Sequence, residues 1–139
     1  MRKSKGMTLM EITIVTVIVG IMASFAIANY NKALMKEHER NAVLNLKTIH
    51  AASKIYKAKF NRFWPRAGSG VNLIAAINQN LGINILPQGL TYTDEPSVLG
   101  FVARARYPAS GAVRFRIAVT DRNPNPCCEA GSCPSLPAC

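Results

Sequence analysis

Histidine and acidic residues are scarce in this sequence, and their scarcity argues against most catalytic chemistry. Two histidines, His38 and His50, and seven acidic residues occur among 139 positions. Neither histidine stands in a spaced set of histidines, cysteines or carboxylates of the kind that a metal site or a catalytic triad needs. The segment Gly68–Gly70 lacks the Gly-Lys-Ser/Thr that completes a phosphate loop. We therefore predict no enzyme activity, no catalytic residues, no cofactor and no metal.

The first thirty residues contain a long apolar run instead. A short basic leader, Met1 to Gly6, is followed by one acid, Glu11. Residues 12–31 carry no charge, and these 20 residues correspond to about 30 Å of helix, the thickness of a bilayer core. We expect this segment to enter a membrane at some stage. Basic residues before such a run stay in the cytoplasm, so the chain beyond Tyr30 is expected outside it.

Two common kinds of apolar segment fit this run poorly. A secretory signal peptide ends at a small-residue cleavage site and is removed, whereas Ala23–Ala28 continues into further helix-compatible sequence. A plain signal anchor has no reason to hold an acid at the membrane edge, where an ionisable side chain costs roughly 2.5–3.5 kcal/mol. The segment GMTLMEITIVTVIVGIMASFAIANY, Gly6 to Tyr30, resembles the prepilin signature of type IV pilins and type II secretion pseudopilins.

This resemblance implies a route of processing and assembly. A prepilin peptidase would cut after Gly6 and methylate the new amino terminus at Met7, and the apolar helix would stay in the mature protein. Glu11 would neutralise the amino terminus of a neighbouring subunit, because two buried opposite charges are tolerable where one alone is not. The implied partners are that peptidase, an inner-membrane assembly platform, the membrane, and other copies of this chain or other pilins.

The resemblance also implies an α+β fold of pilin type. A long N-terminal helix would pack on a small antiparallel β-sheet, with a disulfide-tied C-terminal tail. We expect a cleaved leader at 1–6, a transmembrane or filament-core helix at 7–30, and the amphipathic helix half plus a globular head at 31–139. Ala28 stands where many members carry proline, so we expect a continuous helix.

Beyond Tyr30, apolar residues recur at helical spacing and predict a face that packs under a sheet. This stripe comprises Met35, Ala42, Leu46, Ile49, Tyr56 and Phe60. Charged residues, Glu39 among them, are expected off the stripe. Residues 61–90 are expected to connect the helix to the sheet, with a short helix at Val71–Leu81 and a turn at Leu86–Gly89.

A change to period two predicts a β-hairpin over Phe101–Tyr107 and Val113–Val119. One face is apolar and should cover the stripe. The other carries four arginines, which are candidate anion-binding or DNA-binding residues: Arg104, Arg106, Arg114 and Arg116. If Tyr107 lies opposite Val113, Arg104 faces Arg116 and Arg106 faces Arg114 across the two strands. These like-charge pairs destabilise the sheet unless anions or carboxylates neutralise them. DNA is one candidate anion; carboxylates of this chain or of a neighbouring subunit, or a solvated face, are the alternatives.

All four cysteines lie in the tail: Cys127, Cys128, Cys133 and Cys139. Their spacing contains no C-x2-C pair of the kind that zinc sites use, and the expected compartment is oxidising. We therefore predict two disulfides. A bond between the adjacent Cys127 and Cys128 would be strained. Two pairings stay open: Cys127–Cys133 with Cys128–Cys139, or Cys127–Cys139 with Cys128–Cys133.

The predicted function is that of a structural subunit that polymerises into a type IV pilus-like filament through its N-terminal helix. A type II secretion pseudopilin shares the motif and is the alternative. A membrane-anchored monomeric protein that binds DNA or another anion is an alternative of a different class. Before assembly the chain would cross the inner membrane once with its head extracytoplasmic, and afterwards it would lie in a surface pilus or a periplasmic pseudopilus.

Overall fold

The computed structural model describes residues 7–65, 74–97 and 100–139, and these residues form two helices and a four-stranded sheet. The long helix comes first and the strands follow it, with two disulfides near the C-terminus. This architecture confirms the predicted α+β class and is consistent with a pilin fold. The chain divides into two compact units, Met1–Met35 and Lys36–Cys139.

Helix α1 runs from Leu9 to Phe60, a length of 52 residues. It contains no proline, and Gly20 lies inside it without ending it. Lys57 and Lys59 lie in the last turn, where cations interact favourably with the helix dipole. Asn61 follows with a left-handed φ of 55°, a conformation typical of helix ends. The continuous helix expected from the missing proline is confirmed.

The second half of α1, Lys36–Phe60, buries one face. Ala42, Leu46 and Ile49 are fully buried, as the stripe predicted. Phe60 was predicted on the stripe but is exposed, because it is the last residue of the helix. The placement of Glu39 off the stripe was wrong: this residue is only 2% exposed. It precedes Ala42 by three positions, so the two side chains share a face of the helix.

Four antiparallel strands form the sheet in the order β1-β2-β3-β4. Their bounds are Thr91–Ser97 for β1, Gly100–Tyr107 for β2, Phe115–Thr120 for β3 and Cys127–Gly131 for β4. The sequence predicted the middle pair but neither edge strand. Pro96 lies in β1, and an edge strand tolerates proline because one of its sides needs no ladder hydrogen bonds.

The inner face of the sheet is apolar and meets the second half of α1. Its buried side chains are Tyr92, Phe101, Ala103, Ala105, Phe115, Ile117 and Val119. Asn45 Nδ2 of α1 donates to Tyr92 Oη at 2.7 Å, and the His50 ring lies against Phe101 with a centroid distance of 5.6 Å. The predicted cover of the helix stripe by an apolar sheet face is confirmed.

One ionisable residue, Asp94 of β1, is buried without a hydrogen-bond partner among the described residues. Its side chain is 0% exposed, and neither carboxyl oxygen has a partner there. Burial raises the pKa of this carboxyl to about 8, and the charge of the adjacent Glu95 adds to the effect. Asp94 is therefore protonated, and neutral, between about pH 4 and pH 8, where other carboxyls are charged.

Helix α2 spans Ile74–Leu81 and buries Ile77. The predicted helix began at Val71, and positions 71–73 lie outside the described residues. Gly82 ends the helix with a left-handed φ of 66°. The predicted turn before β1 is confirmed: Gly89 has a φ of 79°, and the Leu90 N–H donates to the Pro87 carbonyl at 2.8 Å.

Candidate functional site

The first half of α1, Leu9–Met35, carries exposed apolar side chains. The most apolar 18-residue window of α1 has a mean hydropathy of 2.2, and none of that window is buried. Large exposed side chains here include Leu9, Met10, Ile12, Ile14, Val15, Val17, Ile18, Val19, Ile21, Met22 and Phe25. Within the described part of the chain, α1 is the one helix that is long and apolar enough to cross a membrane, by length and composition.

Glu11 forms a capping box with Thr8 at the start of α1. The backbone N–H and the hydroxyl of Thr8 both donate to Glu11 Oε2 at 3.0 Å. The Glu11 N–H donates back to Thr8 Oγ1 at 3.3 Å. This reciprocal Thr-x-x-Glu pattern satisfies N–H groups that a helix start otherwise leaves unpaired. The Thr-x-x-Glu spacing is visible in the sequence, although Glu11 was predicted only to act between subunits.

The predicted cleavage site lies at the edge of the described chain. Gly6 is outside the described residues, and Met7 is the first residue within them. The Met7 side chain is exposed, and the residue precedes the first residue of α1 by two positions. Cleavage between Gly6 and Met7 stays a prediction.

A charged groove lies on the outer face of the sheet. It is lined by Thr91, Thr93, Glu95, Arg104, Arg106, Arg116 and Glu129. Arg104 Nε lies 3.0 and 3.2 Å from the two carboxylate oxygens of Glu129, and Arg104 Nη1 lies 2.5 Å from Glu95 Oε2. Desolvation lowers the pKa of Arg104, but the two carboxylates outweigh it and leave that pKa raised. Carboxylates of this chain therefore neutralise part of the positive charge of these arginines.

The structure corrects the predicted register of β2 and β3. The observed pairs include Tyr107 with Phe115, Arg106 with Arg116, and Arg104 with Ala118. Val113 and Arg114 lie in the connecting loop, where the Arg114 N–H donates to the Tyr107 carbonyl at 2.9 Å. The shift is two residues, which preserves the face of each side chain because the strand period is two. Three of the four arginines therefore line the groove, and Arg114 does not.

The tail forms the second of the two pairings that the spacing left open. Cys127 is bonded to Cys139, and Cys128 is bonded to Cys133. Backbone hydrogen bonds hold the same segment: the Cys128 N–H donates to the Pro137 carbonyl at 2.7 Å, and the Cys139 N–H donates to the Cys128 carbonyl at 3.0 Å. The last residues of the chain are thus fixed beside β4.

The buried carboxylate of Glu39 is satisfied by this tail. Glu39 Oε1 accepts hydrogen bonds from the Ser135 hydroxyl at 2.6 Å and from the Ser135 N–H at 3.1 Å. Hydrogen bonds to an ionised carboxylate are shorter and stronger than neutral ones. The contact joins residues 96 positions apart and connects the second half of α1 to the tail.

The two histidines pack against aromatic rings. His38 stacks on Tyr107 with ring centroids 4.2 Å apart, and His50 lies against Phe101 as described above. In the described ranges, no group of three or more His, Cys, Asp or Glu side chains could hold a metal ion. The arrangement of both histidines is that of packed side chains.

Comparisons with known proteins identify two relatives. No protein-family model matches the chain, and no solved structure matches it. The type II secretion system core protein G of Vibrio cholerae is 34% identical over 74 residues, which are 53% of this chain and 50% of that protein. The type IV major pilin protein PilA of Myxococcus xanthus is 34% identical over 61 residues, which are 44% of this chain and 28% of that protein. These two proteins are its homologues.

The homology confirms the resemblance to pilins and pseudopilins drawn from Gly6–Tyr30. The chain spans half or less of the length of these relatives. Both alignments have the same identity, so they do not separate the pilin from the secretion protein.

Proposed function

We propose that this chain is a structural, non-enzymatic subunit of a type IV pilus-like filament. A prepilin peptidase cuts between Gly6 and Met7, and the first half of α1 anchors the chain in the inner membrane with its head outside the cytoplasm. An assembly platform then moves the subunit into a polymer built on that helix half. A type II secretion pseudopilin is the alternative within the same class, supported by the longer alignment to a type II secretion protein.

One observation carries the proposal: in the exposed first half of α1, a single acid, Glu11, is followed by an uncharged run over residues 12–31. Apolar surface of this size requires lipid or other apolar helices, since its exposure to water costs roughly 25 cal/mol per Å². Lipid would cover the apolar side chains but would leave the Glu11 charge without a counterion. A bundle of the same helices covers them as well, and it also brings the amino terminus of a neighbour to Glu11.

The capping box gives Glu11 a second role, and the two roles can be separated by substitution. Glu11→Gln keeps a side chain that can close the box but removes the charge. Thr8→Ala removes the cap but keeps the charge. Glu11→Ala removes the charge and the glutamate half of the box, whereas the N–H of residue 11 can still donate to Thr8 Oγ1. Pairing with a neighbour's amino terminus therefore predicts that the two Glu11 variants behave alike and that Thr8→Ala behaves like wild type.

The measurement is the amount of filament sheared from cells, quantified by immunoblot and inspected by electron microscopy. Filament from both Glu11 variants should fall about a hundredfold or more, because an unpaired buried charge costs roughly 3–5 kcal/mol. The fluorescence of Trp64 should show an unchanged head in all three variants. Loss of filament in Thr8→Ala with normal assembly of Glu11→Gln would replace the charge role by the capping role.

Processing and the kind of filament have tests of their own. The intact mass of the mature chain should correspond to a start at N-methylated Met7, and a retained Met1 or a start beyond Ala28 would contradict the pilin assignment. Filaments sheared from the cell surface support the pilus, whereas filaments confined to the periplasm support the pseudopilus. A chain that is processed but never enters a filament would support the monomeric alternative.

A further inference from the structure

The three arginines of the outer sheet face differ in how many carboxylates they contact. Arg106 of β2 lies directly opposite Arg116 of β3. Like charges at directly opposite positions destabilise a sheet unless other charges compensate. Thr91 of β1 lies opposite Arg106, so these three side chains form one row across three strands of the groove.

The carboxylates of the groove contact mainly Arg104. Glu95 contacts Arg104, and both oxygens of Glu129 accept from Arg104 Nε. Arg116 Nε lies 2.8 Å from Glu129 Oε2, yet this buried atom lacks the alignment of a hydrogen bond. The Arg106–Arg116 pair therefore has one carboxylate oxygen close to it, Glu129 Oε2, and Arg104 already binds that oxygen.

Arg106 has no carboxylate within ion-pair distance in the described part of the chain, which includes all seven acidic residues. Its guanidinium donates instead to two loop carbonyls, those of Ala109 at 3.2 Å and Gly111 at 2.5 Å. A guanidinium has five N–H donors, so these bonds leave several of them free. The two carbonyls hold the fork in place without neutralising its charge.

We infer that Arg106 and Arg116 form a binding site for one carboxylate group supplied from outside the chain. Guanidinium forks match the planar, two-oxygen geometry of a carboxylate, and each fork has N–H donors to spare. A carboxylate between the forks removes the like-charge repulsion of the row. The group comes either from a small molecule in solution or from an acidic side chain of a second copy.

The charge of the groove selects a single carboxylate over a polyanion. Three guanidiniums and two carboxylates line it, which leaves a net charge of 3 − 2 = +1. One carboxylate neutralises this charge. Duplex DNA carries one negative charge per roughly 1.7 Å of its axis, and its phosphates would also meet Glu95 and Glu129. Arg114, which the DNA hypothesis counted as a fourth cation, lies outside the groove.

The test is an NMR titration of the ¹⁵N-labelled full chain in detergent, in which sodium acetate replaces sodium chloride at constant ionic strength. Saturable shifts of the Arg106 and Arg116 Nε–H signals are expected. Arg106→Gln should weaken acetate binding about tenfold or more, the loss of at least one charge-assisted contact. Arg114→Gln removes the same charge outside the groove and should change the affinity less than about twofold.

Thermal unfolding separates a binding role from a structural one. Without acetate, Arg106→Gln relieves the repulsion with Arg116 but loses the two hydrogen bonds to the loop carbonyls, so its unfolding temperature should stay close to that of wild type. Acetate should stabilise wild type but not Arg106→Gln. A destabilised Arg106→Gln together with no effect of acetate would overturn the inference and make Arg106 a structural residue.

Two further measurements identify the source of the bound carboxylate. Acetate affinity that is independent of protein concentration indicates a carboxylate from solution. Self-association that acetate and Arg106→Gln both abolish indicates a second copy. Absence of both results overturns the site, and so does binding of a short DNA duplex that depends on Arg106 while acetate shows no saturable shift.

Discussion

The first half of α1, Leu9–Met35, and its second half, Lys36–Phe60, differ in where their apolar side chains lie. In the first half the large apolar side chains from Leu9 to Phe25 are exposed, and the one acid is held by a local capping box. In the second half Ala42, Leu46 and Ile49 form a buried stripe, and the buried acid Glu39 is held by Ser135 of the tail. The second half thus packs inside its own chain, whereas the first half needs lipid or other chains.

The largest expected effect on stability comes from Leu46→Ala in the second half. Leu46 is 0% exposed, and such a truncation in a core costs about 2–5 kcal/mol of the free energy of unfolding. Val17→Ala in the exposed first half should change it by less than about 0.5 kcal/mol. Denaturant unfolding of the full chain in detergent, followed by Trp64 fluorescence, measures both. Equal losses would contradict the difference between the halves.

Ser135→Ala tests the connection between the second half and the tail. The change removes the shorter of the two hydrogen bonds to the Glu39 carboxylate, and we expect a loss of about 1.5–3 kcal/mol in the free energy of unfolding. Ser132→Ala is the matched control, because Ser132 is an exposed serine of the same tail whose backbone N–H, which alanine keeps, donates to the Arg114 carbonyl. If the two variants are equally stable, the Glu39 contact contributes nothing to the fold.

Asp94 should make the stability of the second unit depend on pH. Its pKa is about 8 in the folded chain against 3.8 for an ordinary aspartate, so the folded state binds a proton that the unfolded state releases between these values. Stability should therefore fall as the pH rises from about 4 to about 8.

Urea titrations of the full chain at several pH values measure this dependence. Asp94→Asn should flatten it, because asparagine has no proton to bind or release in this range. Glu37→Gln should leave it unchanged, because Glu37 is an exposed carboxylate on α1. A wild-type chain whose stability is constant between these pH values would show that Asp94 is not buried as a neutral acid.

The continuity of α1 and the faces of β2 and β3 could be predicted because they depend on local patterns. The missing proline determines the continuity of α1, and the period-two alternation determines which face each side chain of β2 and β3 occupies. The register could not be predicted, because it depends on how many residues the loop before β3 absorbs. Strand β1 was missed because it has no period-two apolar pattern and contains Pro96, which an edge strand accommodates.

The contacts of the candidate site were harder to predict from the sequence than the fold was. The role of Glu39 was missed because a glutamate is normally assigned to the solvent side, and its partner Ser135 has no local signal. The cysteine spacing left two pairings open, and only the three-dimensional path of the tail decides between them. The capping box of Thr8 and Glu11 could have been predicted, because Thr-x-x-Glu before an apolar run is its signature.

The distance of 96 positions between Glu39 and Ser135 has a consequence for the order in which the molecule is completed. At about 5–20 residues per second, a ribosome adds Ser135 roughly 5–20 s after Glu39. During that interval Glu39 must stay in water, since its burial would leave a carboxylate without its donors. The second half of α1 therefore cannot close onto its finished core until almost the whole chain has been made, and the last residues determine when the head is complete.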